Sequence, residues 1–252
     1  MILLIDIGNT RLKWAELRDG ALSSQTAFPH AGADRVRLLE EMQRHVARPE
    51  RVLIANVGGP EIAEACVDAI RAGWSIEAEL VVSTAYAAGV TNAYPEPEKL
   101  GVDRWLAMIG ARAMRSGALG IVSVGTAMTI DAVDVGGEHL GGLIVPGPEL
   151  MVSSLLENTS DIASRATQTH ASDALFADHT FGAVHQGARH ALAALADRAV
   201  RELERRLSTR AHLILTGGAS ERIASLLESD HEVVADLVLR GLARIADQPR
   251  ST

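Results

Sequence analysis

The sequence is poor in cysteine, in aromatic residues and in positive charge. A single cysteine, Cys66, among 252 residues rules out an intrachain disulfide and a zinc centre built on several thiolates. It fits a reducing compartment, and a cytoplasmic location is expected. Aromatic side chains make up 3 % of the chain, so alanine and leucine must fill the core. Lysine and arginine number 24 against 32 aspartates and glutamates, a net charge of −8. That balance argues against nucleic acid as the main partner. Long apolar runs are missing as well: Ile2-Leu3-Leu4-Ile5 meets Asp6 at once, and Ala118 to Val133 is broken by Ser123, Thr126, Thr129 and Asp131. Neither approaches the roughly 20 apolar residues of a membrane span, and the first is too short for a secretory signal, so no membrane partner is expected. The P-loop, the protein-kinase motif set, H-E-x-x-H and G-x-S-x-G are all absent. The nine histidines are scattered, and His185 and His190 are expected on a helix surface.

What is present suffices for a folded core: 47 % hydrophobic and 22 % charged residues, in a length that suits one large domain or two smaller ones. The periodicity predicts strands over Met1–Ile7, Arg11–Leu17 and Ala21–Ala27, the last two joined by an Asp19-Gly20 hairpin. A helix over Arg35–Val46, a strand over Arg51–Asn56, a helix over Pro60–Ala72 and a short strand at Leu80–Val82 follow. Ala87–Leu100 reads as a loop and Gly101–Arg115 as a helix. Strands over Leu119–Val124, Met128–Val135 and Glu138–Val145 come next, with a Gly136-Gly137 hairpin. Helices over Glu149–Leu156, Thr180–Leu207, Ala219–Leu227 and Asp236–Ile245 alternate with strands at His212–Leu215 and Glu232–Val234.

The pattern strand, polar turn, strand, glycine hairpin, strand occurs twice. An offset of 117 residues carries Asp6 onto Ser123, Gly8 onto Gly125 and Asp19 onto Gly136. Two related halves, 1–117 and 118–252, follow from that spacing, although two unrelated hairpins also produce alternating patterns. Each half opens with a turn rich in glycine and hydroxyl groups after its first strand. In Asp6-Ile7-Gly8-Asn9-Thr10, Gly8 admits a ligand close to the backbone, while Asn9 and Thr10 bring donors for phosphate oxygens. Arg11, Leu12 and Lys13 continue the segment, and Lys13 adds positive charge. Asp6 suits Mg²⁺ held through water; the plainer role for it is a carboxylate that binds turn N–H groups. Gly125-Thr126-Ala127, with Thr129 and Asp131 beyond it, repeats the logic, and Thr216-Gly217-Gly218-Ala219 offers bare backbone to a flat ligand such as adenine.

These motifs, in this order, resemble the acetate and sugar kinase/Hsc70/actin superfamily, and within it the type III pantothenate kinases. The resemblance runs nearly the whole chain. It rests on Asp6-Ile7-Gly8-Asn9-Thr10, Tyr94 and Pro97, Gly101-Val102-Asp103-Arg104, Gly125-Thr126-Ala127, Gly141-Gly142-x-Ile144-x-Pro146-Gly147, Thr180 with Gly187, and Thr216-Gly217-Gly218. It implies an α/β fold of duplicated ribonuclease H-like (actin-like ATPase) lobes, each a mixed five-stranded-type sheet with flanking helices, with ATP in the cleft between them. It also implies ATP-dependent phosphorylation of pantothenate to 4'-phosphopantothenate, the first step of coenzyme A biosynthesis. On that resemblance Asp103 is the general base, whose bland alternative is a plain acid in the first turn of a helix. Tyr94, Gly101, Val102, Arg104 and Thr180 are implied to bind the substrate. The alternatives are a surface ion pair for Arg104, loop packing for Tyr94 and an N-cap for Thr180. Mg²⁺ held by Asp6, with Asp131 as a further metal residue, and a homodimer are implied too. Relatives often carry aspartate at the position of Ser123, where it helps hold K⁺ or NH₄⁺, so the monovalent site falls here on a hydroxyl. The other readings are a different small-molecule kinase or phosphatase of the superfamily, or a non-catalytic accessory factor that keeps the fold.

Overall fold

In the computed structural model the described residues are 1–30, 35–165 and 175–248. The chain divides into two units, Met1–Met114 together with the segment from Asp236 onward, and Arg115–Ala235.

The first unit is built around β1 (Ile2–Ile7), whose last five residues are buried. The backbone N–H and C=O groups of a strand inside the core need partners on both edges, and they have them. β2 (Arg11–Arg18) pairs antiparallel with it and β5 (Arg51–Asn56) pairs parallel. The stretch read as one strand over Ala21–Ala27 is two, β3 (Ala21–Leu22) and β4 (Thr26–Pro29), both on β2. The break has a local cause: Ser23 N–H donates to Glu16 O and Ser23 Oγ accepts from Glu16 N–H, which closes the first pairing before the second begins. Helices α1 (Arg35–His45) and α2 (Pro60–Trp74) cover one face, against Leu3, Ile5 and Ile7. β6 (Glu79–Leu80) closes the sheet, in the order β3-β2-β1-β5-β6. The expected loop holds a small hairpin, β7 (Tyr86–Ala87) and β8 (Val90–Thr91), turned at Ala88 and Gly89. α3 (Val102–Met114) then crosses the other sheet face, where Leu4, Ala15, Leu53, Val102 and Leu106 share a core.

The second unit repeats the plan. β9 (Ala118–Val124) is flanked by antiparallel β10 (Ala127–Val133), and β11 (His139–Pro146) lies outside that. α4 (Pro148–Glu157), α5 (Ser160–Arg165) and the 28-residue α6 (Thr180–Leu207) follow. α6 lays Leu192, Ala193, Ala196 and Val200 on Val122, Val124, Met128 and Ile130. β12 (Ala211–Thr216) runs parallel to β9, the short α7 (Glu221–Ala224) follows, and β13 (His231–Val233) runs parallel to β12. The order β11-β10-β9-β12-β13 matches the path β3-β2-β1-β5-β6 of the first sheet, which carries β4 on β2 as a sixth strand where five were expected.

The last helix, α8 (Leu237–Ala246), belongs with the first unit, whereas the sequence division placed all of 118–252 in the second lobe. Leu239, Leu242 and Ala246 fill the core beside Leu4 and Leu53, and Arg51 donates to Ala246 O at 2.9 Å. The α3–α8 crossing is close: a β-carbon on Gly241 would stand 2.0 Å from Leu106 O.

Candidate active site

In the first unit, alternation along β1 puts Asp6 on the same sheet face as Leu4, the face that α3 covers. Lys13 lies directly opposite Asp6 on β2. Asp103, in the first turn of α3, is near enough for its charge to act on Asp6. Burial pushes the Asp6 carboxyl up from 3.8 to about 6, opposed by Lys13 and reinforced by Asp103. Asp6 is 8 % exposed, and among the described residues no hydrogen bond reaches its carboxylate. The turn-binding role for Asp6 therefore fails. A largely buried carboxylate that bonds to no described residue and feels the charge of a second acid has the chemistry to hold a hydrated divalent cation.

The phosphate-type turn follows at once. Gly8 N–H donates to Arg11 O at 3.0 Å, and Asn9, Thr10 and Arg11 are exposed. Ile7 and Leu12, by contrast, are core residues.

The loop before α3 is folded by its own polar groups. Asn92 donates to Thr84 O and Pro97 O and accepts from Tyr94 N–H, and Ser83 Oγ donates to Leu100 O at 2.8 Å. These bonds set Tyr94 against Arg104, whose guanidinium donates to the Tyr94 hydroxyl at 3.0 Å and stands 5.8 Å from the ring centroid. Arg104 is 5 % exposed, so it is no surface ion pair. Asp103 Oδ1 accepts from Arg104 N–H at 2.8 Å. Gly101 and Val102 lead into this turn, and Gly101 O accepts from Trp105 N–H.

In the second unit, Ser123, Thr129 and Thr216 are in register across β9, β10 and β12 and share one face. The turn Gly125-Thr126-Ala127 closes with Gly125 N–H on Ala127 O. Two glycines are packed against it at distances that no side chain allows. A β-carbon on Gly147 would meet Gly125 O at 2.0 Å, and one on Gly217, at φ +94°, would meet Val124 O at 2.3 Å. Gly218 follows in the same turn. Ala219 N–H donates to Val124 O, so the Gly217-Gly218 turn is tied to the end of β9.

The structure does not bring Asp131 to that turn. It is 2 % exposed, and its Oδ1 lies 3.0 Å from His139 Nε2, which is buried as well. Thr180 is not an N-cap: His179 holds that position and α6 starts at Thr180. Thr180 instead lines a groove of about 650 Å³ with Met151, Leu155, Ile162 and Val184. His185 is half-buried against Phe181, with ring centroids 4.1 Å apart, and burial lowers its imidazole pKa. His190 also buries its Nε2, so neither is a surface histidine. The Cys66 thiol is pushed up to about 12 by burial, which removes it as a nucleophile. Sequence reasoning missed His30, whose ring nitrogen lies 2.8 Å from Gly8 O; nothing in the pattern of the chain signals a bond across 22 residues.

Two sheets that share one strand path, each with a glycine turn at the end of its first strand, define a protein of the ribonuclease H-like, actin-like ATPase fold. A protein from Sinorhizobium meliloti described as a 2-dehydro-3-deoxygalactonokinase shares that fold. Its TM-score is 0.61 at 13 % identity, covering 100 % of this chain and 98 % of its own. A Campylobacter jejuni protein described as a conserved Baf family transcriptional activator matches at TM-score 0.56 and 20 % identity, covering 96 % of each chain. The family model for type III pantothenate kinases matches residues 2–202. The type III pantothenate kinase of Nitrosococcus oceani is 37 % identical over 251 residues, 98 % of this chain and 94 % of that one. The chain belongs to the type III pantothenate kinase family.

Proposed function

We propose that this chain transfers the γ-phosphoryl group of ATP to the primary hydroxyl of pantothenate, yielding 4'-phosphopantothenate for coenzyme A synthesis. Family membership supports the substrate pair. The observation that carries the residue roles is the placement of Asp103, in the first turn of α3 beside Asp6, with the Arg104–Tyr94 pair adjoining.

In this reading the Asp103 carboxylate accepts the hydroxyl proton as the oxygen–phosphorus bond forms and the bond to the ADP oxygen breaks. The helix N-terminus favours its ionised form. Arg104 and Tyr94 orient pantothenate, with Gly101 and Val102 shaping the approach and Thr180 contributing a hydroxyl. The turn of each unit takes phosphate oxygens: Gly8, Asn9, Thr10 and Lys13 in one, Gly125 and Thr126 in the other, with Gly217-Gly218 for the base. Asp6 would hold Mg²⁺, which would supply charge compensation at the phosphates. At Ser123 the side chains in register are hydroxyls, so no step is assigned to a monovalent cation. A homodimer is supported by the apolar side chains exposed on edge strand β11 and on α4, Leu143, Ile144, Leu150 and Leu155; sedimentation velocity should give twice the 26.7 kDa monomer mass.

The test couples ADP release to pantothenate, in K⁺ and in Na⁺ buffers, for the wild type and Asp103→Asn. Pantothenate-dependent turnover that falls by about 10²- to 10⁴-fold in the variant, with nucleotide affinity kept, is expected. No pantothenate-dependent turnover in either buffer rejects the substrate and points to another hydroxyl acceptor. Turnover that survives Asp103→Asn rejects the base.

A further inference from the structure

We infer that His30 is a positioning residue for the phosphate-binding turn of the first unit; the inference rests on the nucleotide reading of that turn. His30 follows β4 and is half-buried. Its Nε2 lies 2.8 Å from Gly8 O. A carbonyl only accepts, so Nε2 carries the proton and the imidazole donates. The backbone ties the same two segments together, with His30 N–H on Thr10 O at 3.4 Å and Arg11 in register with Pro29.

The consequence follows from peptide geometry. A trans peptide is planar, and its C=O and N–H point in opposite directions. The Gly8 carbonyl and the Asn9 N–H belong to one such plane. Holding the carbonyl on His30 therefore fixes where the Asn9 N–H points. The Gly8 N–H is already taken by Arg11 O, so Asn9 supplies the first backbone donor of the turn left for a phosphate oxygen. A hydrogen bond to the carbonyl also polarises the amide and strengthens that donor. The same carbonyl has a second close neighbour. A β-carbon on Gly58 would come within 2.6 Å of Gly8 O, and Asn56 holds that loop through Gly58 N–H and Gly59 O. Gly8 O thus has both the His30 imidazole and the Gly58 backbone close to it, and rotating the peptide plane would break the first contact.

The test uses the full-length protein as His30→Ala and as His30→Gln, whose side-chain amide offers a donor of similar reach. Affinity for a magnesium-bound ATP analogue with a non-transferable γ-phosphate is read by calorimetry, beside KM for each substrate and the melting temperature. His30→Ala should weaken the analogue and raise KM for ATP by the same roughly three- to tenfold, the worth of one hydrogen bond. KM for pantothenate should stay within about twofold, melting temperature should fall by no more than about 6 °C, the worth of the same bond in the fold, and His30→Gln should recover most of both losses. Analogue affinity equal to wild type in His30→Ala overturns the inference. So does a loss that Gln does not rescue, accompanied by a larger fall in melting temperature and a higher KM for pantothenate. If the wild type fails to bind the analogue, the nucleotide reading falls and this inference with it. If only pantothenate turnover is missing, the substrate is wrong and the binding comparison still decides the role of His30.

Discussion

Asp6 should make the metal-free protein less stable as pH rises, and Asp6→Asn should remove that loss. The folded chain keeps the Asp6 proton to about pH 6, where the unfolded chain releases it near 3.8. Across this window the folded state binds more protons, so stability falls with rising pH. Moving a carboxyl from 3.8 to about 6 amounts to about 3 kcal/mol. Asparagine keeps the shape and removes the charge but leaves Lys13 without its opposite number, so the net gain above neutrality should be about 1–3 kcal/mol. For a chain of this size that is a rise in melting temperature of roughly 2–10 °C. The assay is thermal unfolding of both proteins from pH 4 to 8 without magnesium or nucleotide. The variant-minus-wild-type difference should climb between about pH 4 and 6 and then level off. Added Mg²⁺ should raise the wild type alone, because only it offers the carboxylate. In the active enzyme the sign reverses: below about pH 6 Asp6 protonates and KM for MgATP rises. A difference curve that is flat or falls across the window would refute the burial argument, and Mg²⁺ stabilising the asparagine variant equally would refute Asp6 as the metal residue.

Tyr94→Phe removes the hydroxyl that accepts from Arg104 and keeps the ring beneath the guanidinium. KM for pantothenate should rise about three- to tenfold with nucleotide affinity unchanged, and an unchanged KM would take this pair out of the substrate site. Gly241→Ala puts a methyl group where Leu106 O stands 2.0 Å away. The α3–α8 crossing must open, at a cost of about 1–3 kcal/mol, read as a lower urea midpoint; because Asp103 rides on α3, turnover should fall as well.

Much of this architecture is legible in the chain, and the exceptions share a cause. β1 shows as an apolar run closed by Asp6, and the Asp19-Gly20 hairpin shows because both residues take positive φ, 50° and 77°. α6 runs from Thr180 to Leu207 as its periodicity predicts. Local signals decide all of these. The failures are decided by partners distant in sequence. The leucine stripe of α8 announces a buried face but not which sheet it covers. The β7–β8 hairpin turns at Ala88, φ 49°, a residue without turn chemistry. Asp131 looked like a site residue because it shares a motif with Gly125. The bulge in the β10–β11 register at Ala132/Val133 instead leaves it paired with His139. Asp103 was legible only through resemblance: an acid in a first helical turn is common, and nothing local says that Asp6 lies beside it.

The duplication is real in strand order, yet the constant offset is not. Ile7 pairs with Leu12 around the first turn, and Val124 with Met128 around the second, so the second turn is one residue shorter. Beyond it Lys13 corresponds to Thr129. The two copies have therefore diverged where it matters chemically. Asp6 faces Lys13 in one, and Ser123 faces Thr129 and Thr216 in the other. A buried carboxylate carries a desolvation cost that a cation relieves. The first turn has that cost, which a divalent cation would relieve. The second is neutral: Ser123, Thr129 and Thr216 create no buried charge in that row for a second cation to offset. The rates in K⁺ and Na⁺ should accordingly agree within about threefold, since without a carboxylate the row offers little to offset the dehydration of either ion. A tenfold or greater preference for K⁺, abolished in Ser123→Ala, would show that the hydroxyl row holds the ion after all.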